Sequence, residues 1–341
     1  MTGAVTSARF RSLVDGFKAR RVLVVGDIIA DQFIYGEVAR VSREAPVLIL
    51  KYDATEMVAG GAGNAANNVA ALGGRAGLAG VVGGDAEGRR LLGGLARGVD
   101  RSSVVRARGY RTPVKTRILA GGVHSAKQQV VRIDREIESP RSDSAVRAFE
   151  ARVRTALRRC DAVVLSDYGS GLVTPALARM IRATLARRTS RRVPVLVDSR
   201  YRLLDYRGLT ICTPNESEVE HMLGVRIDDN PRVLERAGRE ILRRTRAAAV
   251  LITRGSRGMA LFQPKQTTDH IAIFGSDEVA DVTGAGDTVI AAVALALAAG
   301  ATFSEAARLA NYAGGLVVMK RGTATVSARE LRAAIASDKR E

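Results

Sequence analysis

Tryptophan is absent from the 341 residues, and phenylalanine and tyrosine bring the aromatic share to only 4%. Hydrophobic residues still make up 46%, enough for a sizeable core, so that core must be aliphatic. Cysteine is nearly missing too. Cys160 and Cys212 lie 52 positions apart in apolar surroundings, which excludes a disulfide framework and a cysteine metal site and leaves two small buried hydrophobes. No apolar run is long enough to cross a bilayer: the longest, 289–299, falls well short, and the first twenty residues are mixed and basic without an apolar centre. A soluble cytoplasmic protein, with no membrane contact, is therefore expected. Repeats and long low-complexity linkers are lacking as well, which predicts one α/β domain over 1–341.

Lysine supplies only 7 of the 53 basic residues behind the net charge of +18. The arginines are spread along the whole chain, in pairs such as Arg158-Arg159, Arg187-Arg188, Arg191-Arg192 and Arg243-Arg244 that fall on helix ends. This reads as bias on solvated faces, so no nucleic-acid partner is expected, although part of the field can serve an anionic ligand.

What the chain does have is Asp281-Val282-Thr283-Gly284-Ala285-Gly286-Asp287, running into the apolar stretch 288–299. Small residues entering a buried helix leave the amides of Gly284, Ala285 and Gly286 without helical acceptors, an anion-binding arrangement. Asp287 in the first turn reads either as an ordinary helix cap or as a base. A carboxylate beside bound phosphate is repelled unless it has a task, and the natural task is to take a proton from an attacking hydroxyl. The stretch thus points to phosphoryl transfer.

Earlier in the chain, 7–20 suits a short amphipathic helix, and the β-branched run 21–26 marks a strand buried on both faces, with Asp27 and Asp31 beyond its carboxyl end. Loosely alternating residues from 33 to 58, and again from 110 to 134 around Gly121-Gly122, predict a small β-lid outside the main sheet. Lys115, Arg117 and Arg132 alternate along it, as edge-strand charge or as a clamp for a phosphate already on the substrate. Between these segments, Gly60-Gly61-Ala62-Gly63-Asn64 reads as a glycine turn entering a small-residue helix. Strands at 76–82, 161–167, 193–197, 210–213, 250–253 and 259–262 alternate with helices at 88–95, 143–159, 174–188 and 306–319, and Asp167 and Asp198 close their strands. Repeated acids at strand ends indicate a doubly wound sheet with one functional edge, and Gly322 to Thr325 should end the fold. Asn215 and Glu218 have the spacing of groups on one helix face.

The stretch 281–287 resembles the C-terminal motif of the PfkB, or ribokinase-like, family of carbohydrate kinases. That resemblance implies a ribokinase-like three-layer α/β/α doubly wound sheet with a small β-sheet lid, and ATP as phosphoryl donor. It makes Asp287 the catalytic base and 284–286 the anion hole, with Asp281 helping to hold a monovalent cation, potassium. Asp31, Gly60, Gly61 and Asn64 match the family's sugar-binding positions, with Lys115, Arg117 and Asp167 beside them. Asn215 and Glu218 match a magnesium-linked Asn-x-x-Glu motif, acting through water. Arg254, Gly255 and Gly258 match a loop along the nucleotide, Asn311 a position near the adenine, and lid pairing between subunits implies a homodimer.

Four segments, 41–47, 165–169, 213–218 and 281–289, are similar to the branch of that family that phosphorylates the anomeric hydroxyl of D-glycero-D-manno-heptose 7-phosphate in lipopolysaccharide biosynthesis. Two positions depart from it: Ser170 stands where lysine is expected, and Asp198-Ser199-Arg200 where Asp-Pro-Lys is expected. The nucleotidyltransferase domain often fused behind that kinase is not within the 341 residues. Open alternatives are a kinase for another acceptor (fructose, ribose or adenosine), a non-catalytic sugar sensor and a basic nucleic-acid binder.

Overall fold

A computed structural model describes residues 7–121, 127–135, 143–188, 192–275, 281–320 and 322–338. Helix α1 (Ser7–Asp15) leads into β1 (Arg21–Gly26), whose Val and Leu run is buried on both faces from Val22 onward. Two fourteen-residue strands follow, β2 (Ile28–Val41) and β3 (Leu48–Gly61), then α2 (Ala62–Ala71), β4 (Arg75–Gly83), α3 (Ala86–Gly93) and β5 (Val99–Ala107). After β6 (Val114–Gly121) and β7 (Gln128–Arg135) come α4 (Asp143–Ala156), β8 (Ala162–Asp167), α5 (Pro175–Ala186), β9 (Val195–Ser199) and β10 (Ile211–Cys212). The chain closes with α6 (Glu216–Leu223), α7 (Pro231–Thr245), β11 (Ala249–Thr253), β12 (Met259–Phe262), β13 (Asp269–Ile271), α8 (Ala285–Ala299), α9 (Phe303–Val318) and α10 (Ala328–Ser337).

Among the described residues, nine strands form the main sheet in the order β13-β12-β11-β10-β9-β8-β1-β4-β5, with every neighbouring pair parallel except β11–β12 and β12–β13, which are antiparallel. From β1 the chain steps outward to β4 and β5, then restarts on the other side with β8 to β11. The strand order therefore reverses between β1 and β8, which opens a crevice beyond their carboxyl ends where ligands bind in such sheets. Two aliphatic clusters cover the faces: α1, α2, α8, α9 and α10 pack on one, and α4, α5 and α7 on the other. Helix α8 is apolar all round and almost wholly buried, as a central helix must be.

The lid is a four-stranded sheet, β3-β2-β6-β7, with β2 and β6 parallel. Its inner ends are buried over the crevice, and its outer ends, with all of β7, are exposed.

Several sequence expectations shift. Gly60 and Gly61 finish the long strand β3 rather than forming a separate turn, because β3 pairs with β2 as far as Ile28. The helix expected at 88–95 starts earlier, where the Asp85 side chain caps it by accepting from the Gly88 amide at 2.8 Å. Strand β5 and helix α7 were not anticipated. The fold does not end at Thr325: Ser327 and Glu330 form a capping box, and α10 packs Leu331 and Ile335 into the core. Gly122, Arg191 and the tail beyond Asp338 lie outside the described residues.

Candidate active site

The site is assembled from the ends of β1 and β8 at the strand-order reversal, the first turns of α2 and α8, and the inner ends of β2 and β6. Gly284 caps α8 with φ 77°, a left-handed backbone that favours glycine. A Cβ there would lie 2.5 Å from Asn64 Nδ2. The amides of Gly284 and Gly286 have no protein acceptor among the described residues, whereas that of Ala285 donates to the Val282 carbonyl at 3.2 Å. Of the three expected anion-hole amides, the middle one therefore closes the turn.

Asp287 is buried, 4% exposed, at this helix start. Asn64 Nδ2 donates to its Oδ2 at 2.8 Å, and the Tyr168 hydroxyl to its Oδ1 at 3.4 Å. Behind Asn64 runs a relay between α8 and α2. Thr288 Oγ1 donates to Asn68 Oδ1 at 2.8 Å, and Asn68 Nδ2 donates to Asn64 Oδ1 at 3.2 Å. With its oxygen occupied, Asn64 has only its amide hydrogens to offer Asp287, which sets the orientation of an otherwise ambiguous amide. Burial pushes the Asp287 carboxyl up to about 7, with Asp31 adding to the rise and Asn64, Tyr168 and Lys115 opposing it.

On the lid side, Arg117 Nη1 donates to Asp31 Oδ1 at 2.6 Å, and both side chains are largely enclosed. The lid arginine is thus committed to the lid aspartate. Lys115, two residues along the same strand face, stacks over Tyr168 instead, with its Nζ 4.9 Å from the ring centroid. Arg132 is paired with Asp134 on the exposed strand β7. Close packing explains the glycines of β3: a Cβ at Gly60 would meet Asp31 Oδ2 at 2.2 Å, and one at Gly61, φ 55°, the Asp27 carbonyl at 2.5 Å.

Asp27 and Asp167 shape the strap after β8. Asp27 accepts from the Tyr168 amide at 2.8 Å and from the Ser170 hydroxyl, so Ser170, the departure noted above, is a scaffold contact. Asp167 accepts from the Tyr206 hydroxyl at 2.7 Å, Ser199 Oγ at 2.8 Å and the Gly169 amide at 3.0 Å. Its carboxylate, expected to touch substrate, is taken up by internal donors.

On the opposite side, Asn215 and Glu218 form a capping box on α6, with bonds of 2.8 and 3.0 Å. Burial pushes Glu218 up, and it holds Asp198 well above the carboxylate range together with Glu218 and Asp287. Among the described residues no group of three or more His, Cys, Asp or Glu is spaced to hold a metal directly. Arg254 Nε donates to Glu216 at 2.7 Å, which ties the 254–258 turn to the start of α6. A Cβ at Gly258 would meet the Ile271 carbonyl at 2.1 Å, while Gly255 faces open space. Asn311 donates to the Ala272 carbonyl at 2.8 Å. Asp281 accepts from the Thr283 amide at 2.8 Å and the Gly322 amide at 3.0 Å, which locks the loop ahead of α8.

Sequence reading gave no site role to Asn68, Tyr168 or Arg200, and read Asp198 only as an acid closing a strand at the functional edge. Asn68 sits four positions from Asn64, the spacing of one helix face, which was the available signal. The other three converge only through strand order.

The architecture has solved counterparts. The ribokinase of Arabidopsis thaliana, solved with ribose and ATP, matches with a TM-score of 0.71 at 21% identity, over 94% of this chain and 99% of that chain. Phosphofructokinase-2 from Escherichia coli, solved with potassium, matches with 0.72 at 19% identity, over 93% and 98%. At such identities the likeness concerns the fold alone, and it defines the architecture: a ribokinase-like α/β domain. The model of the pfkB family of carbohydrate kinases matches residues 19–330, and the chain belongs to that family. Curated relatives include the bifunctional protein HldE of Desulfatibacillum aliphaticivorans, 41% identical over 318 residues, 93% of this chain and 63% of that protein. HldE of Geobacter metallireducens is 42% identical over 311 residues, 91% of this chain and 61% of that protein. The chain thus spans a little under two thirds of the length of these relatives.

Proposed function

We propose that this chain transfers the γ-phosphoryl group of ATP to the anomeric hydroxyl of D-glycero-D-manno-heptose 7-phosphate. The observation that carries the chemistry is Asp287, held by the Asn64 relay beside the acceptor-free amides of Gly284 and Gly286. The acceptor oxygen attacks the γ-phosphorus, Asp287 takes its proton, and the bond to the bridging oxygen breaks to leave ADP. The two amides face the charge that develops on the phosphoryl oxygens. Asp31, with Arg117, Gly60, Gly61 and Asn64, orients the sugar, and the lid excludes water. The choice of heptose rests on the four segments similar to that branch and on the HldE relatives.

Magnesium bound with ATP supplies charge neutralisation at the phosphates. Asn215 and Glu218 would hold it through water, next to Asp198, whose proximity to Glu218 is unfavourable for two carboxylates and suits a cation between them. Asp281 would face a potassium ion behind the loop. The 254–258 turn and Asn311 border the nucleotide side.

Transfer to a panel of heptose 7-phosphate, fructose, fructose 6-phosphate, ribose and adenosine, with Mg²⁺ and K⁺ present, tests the reading. Selective transfer to the heptose phosphate is expected. Transfer only to a neutral sugar would retain the chemistry and reject this acceptor, and silence across the panel would favour a sugar sensor.

The lid exposes the separate hydrophobic side chains of Val41 (59%), Tyr52 (65%) and Ile133 (57%), which a second copy would cover in a cytoplasmic homodimer. Sedimentation equilibrium should return twice the chain mass, and Tyr52→Glu should lower it to one; a monomeric wild type would reject the dimer.

A further inference from the structure

Two cations converge on Tyr168 from different parts of the fold. Lys115 comes from the lid, and Arg200 from the segment after β9, with its Cζ 5.8 Å from the ring centroid. Neither forms an ion pair with a carboxylate among the described residues, although Asp31, Asp134, Asp198, Glu218 and Asp287 all face this region. Arg117, by contrast, is neutralised by Asp31. Burial, followed by the charge of Arg200, holds Lys115 below the usual lysine range, so the two cations sense each other. The Tyr168 hydroxyl meanwhile points to Asp287. The ring therefore stands between the base and two cations that make no direct ion pair among the described residues.

We infer that Lys115 and Arg200, arranged about the Tyr168 ring, form a subsite for the phosphate group of an acceptor whose reacting hydroxyl lies at its other end, against Asp287. A dianion there relieves the repulsion between the cations, and charge-assisted hydrogen bonds to ammonium and guanidinium fix its position. The inference rests on the kinase reading and adds the residues that select a phosphorylated acceptor. It also gives Arg200 a task that a buried lysine would perform as a point charge.

The same chemistry suits a phosphate of the nucleotide, so the test separates the two sources. In Arg200→Gln, the KM for heptose 7-phosphate should rise about tenfold to a hundredfold with the KM for ATP unchanged, and Arg200→Lys should recover part of the loss. Sodium phosphate, added without nucleotide, should raise the Tm of the wild type and not that of Arg200→Gln. A rise in the ATP KM alone would overturn the assignment to the acceptor. Equal thermal shifts in both proteins with an unchanged acceptor KM would overturn the subsite itself. The thermal shift needs no turnover, so it reads the subsite even if no sugar in the panel is phosphorylated.

Discussion

Asp287→Asn is expected to lower kcat by about 10³- to 10⁴-fold, the loss of a positioned general base, while ATP still binds. The same substitution should make the protein more stable at pH 8. With Asp287 pushed up to about 7 by burial, the folded protein keeps a proton between the ordinary carboxylate range and neutrality that the unfolded chain has released. Stability therefore falls as pH rises through that window, and above it the buried charge costs about 4 kcal/mol. Asparagine keeps an acceptor for Asn64 without the charge. Urea denaturation of both proteins at pH 8 and pH 4.5 should show a gain at the higher pH that shrinks at the lower one. In the wild type, kcat/KM should climb with pH through about 7, because only the ionised carboxylate accepts the proton. Near-normal turnover in Asp287→Asn would remove the base from this position, whatever happened to stability.

Gly284→Ala should also damage activity, less severely and by a different route. Its Cβ would come within 2.5 Å of Asn64 Nδ2, at a backbone angle of φ 77° that alanine adopts only with strain. Either Asn64 leaves Asp287 or the loop carrying the free amides shifts, and a displacement of about 1 Å at reacting groups costs about 10²-fold in rate. We expect kcat/KM to drop by about that factor, with a modest fall in Tm. Asn64→Ala/Gly284→Ala tells the routes apart: relief of the clash should return the loop and its amides, but not the hydrogen bond to Asp287. Unchanged kinetics in Gly284→Ala would mean that the loop adapts freely and that the close Asn64 contact is unimportant.

Much of the sheet could be read along the chain, because buried parallel strands such as β1 and β8 are continuous apolar runs that end in an acid or a glycine. Helix α7 escaped notice although its apolar residues recur at helical spacing, since the many arginines between them masked the pattern. Strand β5 escaped because its first half is largely exposed and alternates poorly. The lid segments were anticipated as exposed strands, but their inner ends are buried, and burial depends on what lies beneath them.

For the site, local order was enough to mark Gly284, Gly286 and Asp287, since a glycine-broken turn before an apolar helix presents amides and a carboxylate through its own backbone geometry. Asn64 could be marked for a similar reason. Local order could not show that Asn64 reaches Asp287 across 223 positions, that Arg117 is spent on Asp31, or that Asp167 is filled by Tyr206 and Ser199. By itself, then, the sequence determined an aliphatic α/β fold and a glycine-broken turn that presents backbone amides beside a carboxylate, because those follow from hydrophobic period and backbone stereochemistry. Only the tertiary structure decided which cations around Tyr168 make no direct ion pair among the described residues. Pairing of charges is settled by distances of a few ångströms between strands far apart in the chain, and the reversal of strand order between β1 and β8 is what brings them there.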